Sequence, residues 1–312
     1  MASPTPAEAA PPNTDPTFRS YSASQAQTYA TYRTSYPERF YRTILDFHHA
    51  TGGQDGFLVD VGCGPGNATR DLARFFDVAL GVDPGAGMIE AARGLGGVTK
   101  RGGPVAYEVA AAEEFARVTG EQPVDLVVAA MAAIKFLPYV YIPSGLGIKQ
   151  CQRPRKLHKT IDLPLPDPQK PHASEINKIL LRLERETLAP YAVPANLVSM
   201  NMYDTLHLPW ANNPPVSSFP PESFQRLTYD REGVLSDGEH FFGGDEEVNI
   251  EELEKGLSTA SMVTRWREAN VEKVGTEDDV VRAFAKELRD VVGPRGVLVK
   301  GSGTAILLFK KI

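Results

Sequence analysis

The chain has 312 residues, 42% apolar and 23% charged, which is enough for one large α/β domain or two modest ones around a buried core. A net charge of −6 gives no general pull toward nucleic acid or an anionic membrane, because that pull comes from Lys and Arg neutralising phosphates. Two cysteines, Cys63 and Cys151, are too few for a disulfide framework or a Cys-built zinc site and suit a reducing, cytoplasmic compartment.

Residues 1–17, MASPTPAEAAPPNTDPT, have neither a cationic start nor an apolar run and are expected to be a disordered tail rather than a secretory signal. No stretch reaches the length of a membrane span, so no membrane partner is expected. The remainder, 18–312, is read as a single domain. Between Ser20 and Gly53 the spacing predicts a short helix and a second one starting at Pro37, with Phe40, Ile44 and Phe47 as its inner face and Gly52 as its stop.

Strands and helices then alternate. Phe57, Leu58, Val59 and Val61 form an apolar run suited to a buried parallel strand, and a helix from Asn67 would carry Leu72, Phe75 and Phe76 on one face. Next come a strand at Val78–Asp83, a helix from Pro84 to about Arg93, a strand near Val105–Val109, a short helix around Glu113–Arg117 and a strand at Val124–Ala130. This order predicts a doubly wound α/β sheet of the Rossmann-like kind, with ligands at the carboxyl ends of its strands.

The alternation breaks at Ile134. Residues 134–171 hold seven prolines, the basic run KQCQRPRKLHK and no helical period, where a crossover helix and a fifth parallel strand should follow. The segment is expected to be an irregular insertion or replacement, the fifth strand is expected to be missing, and the basic run is read as solvated rather than as a nucleic-acid patch. Order returns with SEINKILLRLERETLAPY, whose Ile176, Ile179, Leu180, Leu183 and Leu188 fall at helical spacing. An irregular Pro-rich stretch follows, then one helix after Asn249, then a helix opened by Thr276 and Asp279 and closed by Gly293. Residues 174–290 thus supply a helical cap. GVLVKGSGTAILLFKK closes the chain as two strands around a Gly-Ser-Gly turn, an expected antiparallel hairpin.

The glycine turn DVGCGPGNAT at 60–69 joins the first strand to the next helix. A phosphate-binding loop of the ATPase type would need Lys and then Ser or Thr after its last glycine, whereas Gly66 is followed by Asn67 and Ala68. The dinucleotide pattern G-x-G-x-x-G would need a glycine at 67. What stands there is Asp60, Gly62, Gly64 and Gly66, with Asp83 ending the second strand.

That pattern resembles the S-adenosylmethionine-binding motif of class I methyltransferases. The resemblance implies S-adenosylmethionine as cofactor, bound by Asp60, Gly62, Cys63, Gly64 and Gly66, with Asp83 accepting from the ribose hydroxyls, Met88 on adenine, and Ala112 with Glu113 near the adenine amino group. Met88 equally fits a core methionine, and Glu113 a solvated acid at a helix start. YATYRTSYP, LVDVGCGPGNAT, LAPY and TASMVTRW together resemble trans-aconitate methyltransferase-like proteins of fungi. In that family the fourth strand is followed by an aromatic motif, a helix and a Pro-Gly-Gly-like turn, none of which is visible in 134–171. A displaced exon boundary or retained intron is the expected origin of that segment.

The resemblance implies a small, carboxylate-bearing acceptor. A carboxylate is already ionised at neutral pH and needs no general base, so no catalytic residue is assigned. Candidates to hold it are Tyr29, Arg33, Tyr36, Tyr191 and Arg265, since hydroxyls and guanidinium groups suit carboxylates. Tyr29 and Tyr36 equally suit packing of the cap, and Arg265 a contact between helices. His48, His49, His158, His172, His207 and His240 show no metal spacing, and no metal is expected. A nicotinamide-dependent oxidoreductase and a catalytically impaired binding protein remain as alternatives.

Overall fold

The structure is a computed structural model and describes residues 21–32, 35–130, 165–166 and 172–312. The expected tail, Arg33, the basic run and most of 134–171 lie outside the described residues.

Helix α1 (Ala23–Tyr32) precedes α2 (Glu38–Ala50), whose cap is Pro37 in extended backbone. Phe40, Tyr41, Ile44, Leu45 and His48 of α2 are buried, while Phe47 is partly so. Strand β1 (Phe57–Val61) is buried along its whole length, because it runs between β2 (Val78–Asp83) and β4 (Leu126–Val128) with both faces covered. Its side chains alternate: Phe57, Val59 and Val61 enter one core, and Leu58 enters the other. Helices α3 (Asn67–Ala73), α4 (Ala86–Leu95) and α5 (Phe115–Thr119) and strand β3 (Ala106–Val109) belong to this half. Helix α3 ends at Ala73, so Phe75 and Phe76 lie beyond it; Phe76 is nevertheless fully buried.

The four strands form a parallel sheet of order β3-β2-β1-β4. The order reverses at β1, which opens a crevice beyond the carboxyl ends of β1 and its neighbours. Among the described residues β4 pairs only with β1.

Leu165–Pro166, inside the segment expected to be irregular, form a short strand β5. Beyond it, α6 (Ala173–Arg182) widens into a π turn over Leu183–Thr187 and a 3-10 turn over Ala189–Tyr191. Helix α7 (Pro194–Met200) follows. The stretch expected to be irregular and Pro-rich carries two strands, β6 (Phe224–Tyr229) and β7 (Glu246–Asn249).

The helix expected after Asn249 is two helices, α8 (Ile250–Leu257) and α9 (Ser261–Ala269). Asn249 caps α8 as expected, in a reciprocal box with Glu252. Helix α10 (Val280–Val292) is capped by Asp279 rather than Thr276: the Asp279 carboxylate accepts from Val281 N at 3.0 Å, whereas the Thr276 hydroxyl donates to Lys273 O. Ile176, Leu180, Leu253, Leu257, Val263, Trp266, Val281, Phe284 and Leu288 meet in a core of their own.

The closing strands β8 (Val297–Gly301) and β9 (Thr304–Phe309) both form, and both pair antiparallel, but with other partners than each other. Strand β8 lies between β5 and β7, and β9 pairs with β6 over Phe224–Tyr229. Strand β9 is wholly buried and alternates like β1, with Ala305, Leu307 and Phe309 in one core and Ile306 and Leu308 in the other. No helix among the described residues is long and apolar enough to cross a membrane.

Candidate functional site

The turn from β1 to α3 lies at the reversal point of the sheet. Gly62 N and Cys63 N both donate to Val82 O, at 2.7 and 3.0 Å, so the turn is tied to the end of β2. Gly62, Gly64 and Gly66 have φ of 70°, 54° and 81°, left-handed backbone that side chains with a Cβ rarely adopt. Two of these glycines differ in what they face. A Cβ on Gly66 would lie 2.7 Å from the Tyr107 ring, whereas one on Gly64 would meet nothing within 4 Å. Gly66 is therefore needed for packing as well as for its backbone, and Gly64 presents bare backbone to open space.

Asp60, the fourth residue of β1, points to the α3 side and is fully buried. The Thr69 hydroxyl donates to its Oδ2 at 2.6 Å, and its Oδ1 has no partner among the described residues. Burial pushes this carboxyl up to about 7, with the Asp83 charge acting the same way and the Thr69 hydrogen bond opposing. Burial also raises the Cys63 thiol well above its ordinary value, which leaves it a neutral group.

At the end of β2, Asp83 Oδ2 accepts from Gly64 N at 3.1 Å and its Oδ1 accepts from Gly85 N at 2.8 Å. The carboxylate thus braces the glycine turn. A carboxylate oxygen can accept more than one hydrogen bond, which is compatible with the expected role at the ribose hydroxyls. An orphaned buried carboxylate oxygen, open space at Gly64 and a half-buried acid beside it fit the amino-acid end and sugar of S-adenosylmethionine. The ammonium of that group would satisfy Asp60 Oδ1.

Of the other cofactor candidates, Met88 is buried beneath Ala26 with Tyr29 packed alongside, in a cluster joining α1 to α4. Ala112 packs against the core that holds Leu307, and Glu113 is exposed. Its neighbour Glu114 accepts from Ala111 N at 2.9 Å, and this bond, with Arg117 adding to it, holds the Glu114 carboxyl below its usual range.

The acceptor candidates fall in separate places. Tyr29 lies on α1 against Met88. Tyr36 stacks on Phe40 with ring centroids 4.4 Å apart. Tyr191 and Arg265 are brought together: Arg265 Nε donates to Tyr191 O at 2.7 Å, and its guanidinium also donates to Asn196 Oδ1 at 2.6 Å. The Tyr191 hydroxyl accepts from Asn270. Both residues are therefore built into contacts among α7, α9 and the 3-10 turn.

His49 and Asp55 pair at 2.8 Å and His240 and Asp245 pair across one loop, His–carboxylate contacts that the sequence does not make obvious. His48, His49 and Asp55 come within 4.8 Å of one another, but Lys100 shares Asp55 and His48 Nε2 is engaged by Gln54 O. Sequence reasoning misses two residues that shape the turn. Thr69 carries a weak signal, a hydroxyl in the first turn of α3. Tyr107 carries another, the one aromatic of β3; its hydroxyl donates to Gly96 O, and burial pushes it up to about 12.

Comparison with known proteins bears on this geometry. Residues 58–146 match the family model of a methyltransferase domain. The methyltransferase cfoB of Aspergillus candidus is 38% identical over 82 residues, covering 26% of this chain and 25% of that protein. A Saccharomyces cerevisiae protein named as a probable S-adenosylmethionine-dependent methyltransferase is 31% identical over 104 residues, 33% of this chain and 34% of its own. The chain thus spans a quarter to a third of the length of these relatives. A solved structure from Anaeromyxobacter dehalogenans, described as a candidate type II methyltransferase, superposes with a TM-score of 0.56 at 22% identity, over 89% of this chain and 97% of that one. That likeness is one of fold.

Proposed function

We propose that this chain, whose residues 58–146 match the family model of a methyltransferase domain, is an S-adenosylmethionine-dependent methyltransferase that acts on a small acceptor bearing a carboxylate. The observation that carries the reading is the pairing of an orphaned Asp60 Oδ1 with the bare backbone of Gly64, braced by Asp83.

When bound, S-adenosylmethionine supplies a methyl group on a sulfonium, open to in-line displacement. The protein then has to hold, orient and exclude water. Asp60 takes the ammonium, Gly64 lets backbone lie against the ligand, and Asp83, held by Gly64 N and Gly85 N, accepts from the sugar hydroxyls. A carboxylate acceptor arrives ionised and asks for no base. Arg33, next in sequence after α1, is the proposed partner for that carboxylate, with Tyr29 from the same cap segment. The trans-aconitate-like character of the acceptor rests on the resemblance of YATYRTSYP and LAPY.

A second reading, a binding protein with impaired catalysis, is favoured by one observation: residues 134–171 hold seven prolines and no helical period where a crossover helix and a fifth strand are expected. A nicotinamide enzyme is disfavoured, since Asn67 stands where the dinucleotide pattern places its third glycine. Incubating the protein with methyl-labelled S-adenosylmethionine and a panel of di- and tricarboxylic acids tests the proposal. Alkali-labile label in an acid supports it. Binding of S-adenosylhomocysteine with no transfer to any acid supports the second reading instead.

A further inference from the structure

We infer that Thr69 is a positioning residue for cofactor capture: its hydroxyl pins one oxygen of Asp60, reserves the other for the ligand's ammonium, and makes capture expel a proton from the protein. The inference deepens the methyltransferase reading and rests on it.

Thr69 and Asp60 are both fully buried and in hydrogen-bond contact at 2.6 Å. The bond fixes the carboxylate, and Oδ1 is the oxygen left without a partner among the described residues. Among the described residues, the groups that face Asp60 give it no positive charge. Asp83 at the end of β2 is an acid, and Cys63 in the turn is a thiol kept neutral by burial. Tyr107 on β3 gives its hydroxyl to Gly96 O, and the register partners on β2 and β4 are Gly81 and Val128. Arg70, the cation nearest in sequence, spends its guanidinium on Pro65 O and Asn67 Oδ1.

A buried carboxyl so placed holds a proton near neutral pH, and its natural counter-charge is one that arrives with the ligand. Capture is then an exchange. The neutral carboxyl of Asp60 meets the ligand's ammonium, the carboxylate–ammonium pair forms, and the proton leaves to buffer. With the carboxyl at about 7, roughly half a proton is released per ligand at pH 7, and affinity falls roughly tenfold from pH 8 to pH 6. Removing the Thr69 donor removes the one contact that favours the ionised form. The titration then moves to higher pH.

Calorimetric titration with S-adenosylhomocysteine, repeated at pH 6, 7 and 8 in buffers of different ionisation enthalpy, counts the protons. Thr69→Val, which keeps the shape, should lose several-fold in affinity at pH 7 and regain most of it by pH 9, with Thr69→Ser restored to the parent curve. Asp60→Asn should release no proton and bind with little pH dependence. Wild-type binding without proton release, or a Thr69→Val loss equal at every pH, overturns the inference while leaving the methyltransferase reading intact. Failure of the wild type to bind at any pH removes that reading and this one with it.

Discussion

Replacing single glycines in the turn separates a residue that faces ligand from one that faces the core. Gly64→Ala places a Cβ at φ 54° with nothing within 4 Å, so its cost is that of left-handed backbone alone, about 1–2 kcal/mol. Gly66→Ala carries the same backbone cost at φ 81° and also drives a Cβ to 2.7 Å from the Tyr107 ring. Overpacking of that kind adds about 1–3 kcal/mol, for a total of about 2–5 kcal/mol. Urea unfolding of both variants should therefore rank Gly66→Ala as the less stable. Titration with S-adenosylhomocysteine should show the complementary effect, with Gly64→Ala losing at least about tenfold in affinity while remaining folded, because its methyl occupies the space against which the ligand must lie. Unaltered affinity in a folded Gly64→Ala protein, or equal stability of the two variants, would refute the assignment of Gly64 to the ligand face.

Other substitutions test the electrostatics and the cap. Burial raises Asp60 from 3.8 to about 7, so the native state keeps a proton that the unfolded chain gives up; stability should fall as pH rises from 4 to 7, by at most on the order of 4 kcal/mol. Asp60→Asn should accordingly melt higher than wild type at pH 8 and converge with it near pH 4; parallel melting curves across that range would contradict the buried acid. Asp279 is opposed by its burial, but the Arg267 guanidinium, through two hydrogen bonds of 2.8 and 2.9 Å, and the Val281 N–H together draw it below its ordinary value. Asp279→Ala should cost about 3 kcal/mol at pH 7 by unpairing Arg267 and uncapping α10, and the gap should close as acid protonates Asp279 in the native wild type; a gap independent of pH would point to packing instead. Arg265→Lys loses the contacts to Tyr191 O and Asn196 Oδ1 and should lower stability by about 1–2 kcal/mol with S-adenosylhomocysteine affinity unchanged. A raised KM for an acid acceptor at unchanged melting temperature would instead return Arg265 to the acceptor site.

What the sequence makes legible follows the physics of each element. The strand at 78–83 and the apolar run of β1 are read to the residue because strands covered on both faces are continuous hydrophobic runs bounded by turn residues. Helix α2 and the end of α10 at Gly293 are legible from apolar period and stop signal. The break between α8 and α9 is not, because it depends on Thr259, whose hydroxyl turns back to Gly256 O in competition with the helix. Nor are the partners of β8 and β9: the Gly-Ser-Gly turn suggests a hairpin, but a Cβ on Gly301 would run into the Phe241 ring, and the strands that pair with them, β6 and β7, are half-polar segments far away in the chain. Within the site, the glycines and Asp83 declare themselves by spacing. The partnership of Thr69 with Asp60 does not, since it needs the turn of α3 to bring position 69 back over β1.

The most direct test of a cofactor held between Asp60, Gly64 and Asp83 is calorimetric titration of S-adenosylhomocysteine into the wild type, Asp83→Ala and Asp83→Asn, each first shown to melt cooperatively. Saturable binding by the wild type, weakened at least about tenfold in both variants, is the expected result. A cooperatively folded wild type that takes up no ligand at millimolar excess, or variants that bind as tightly as the parent, would contradict it.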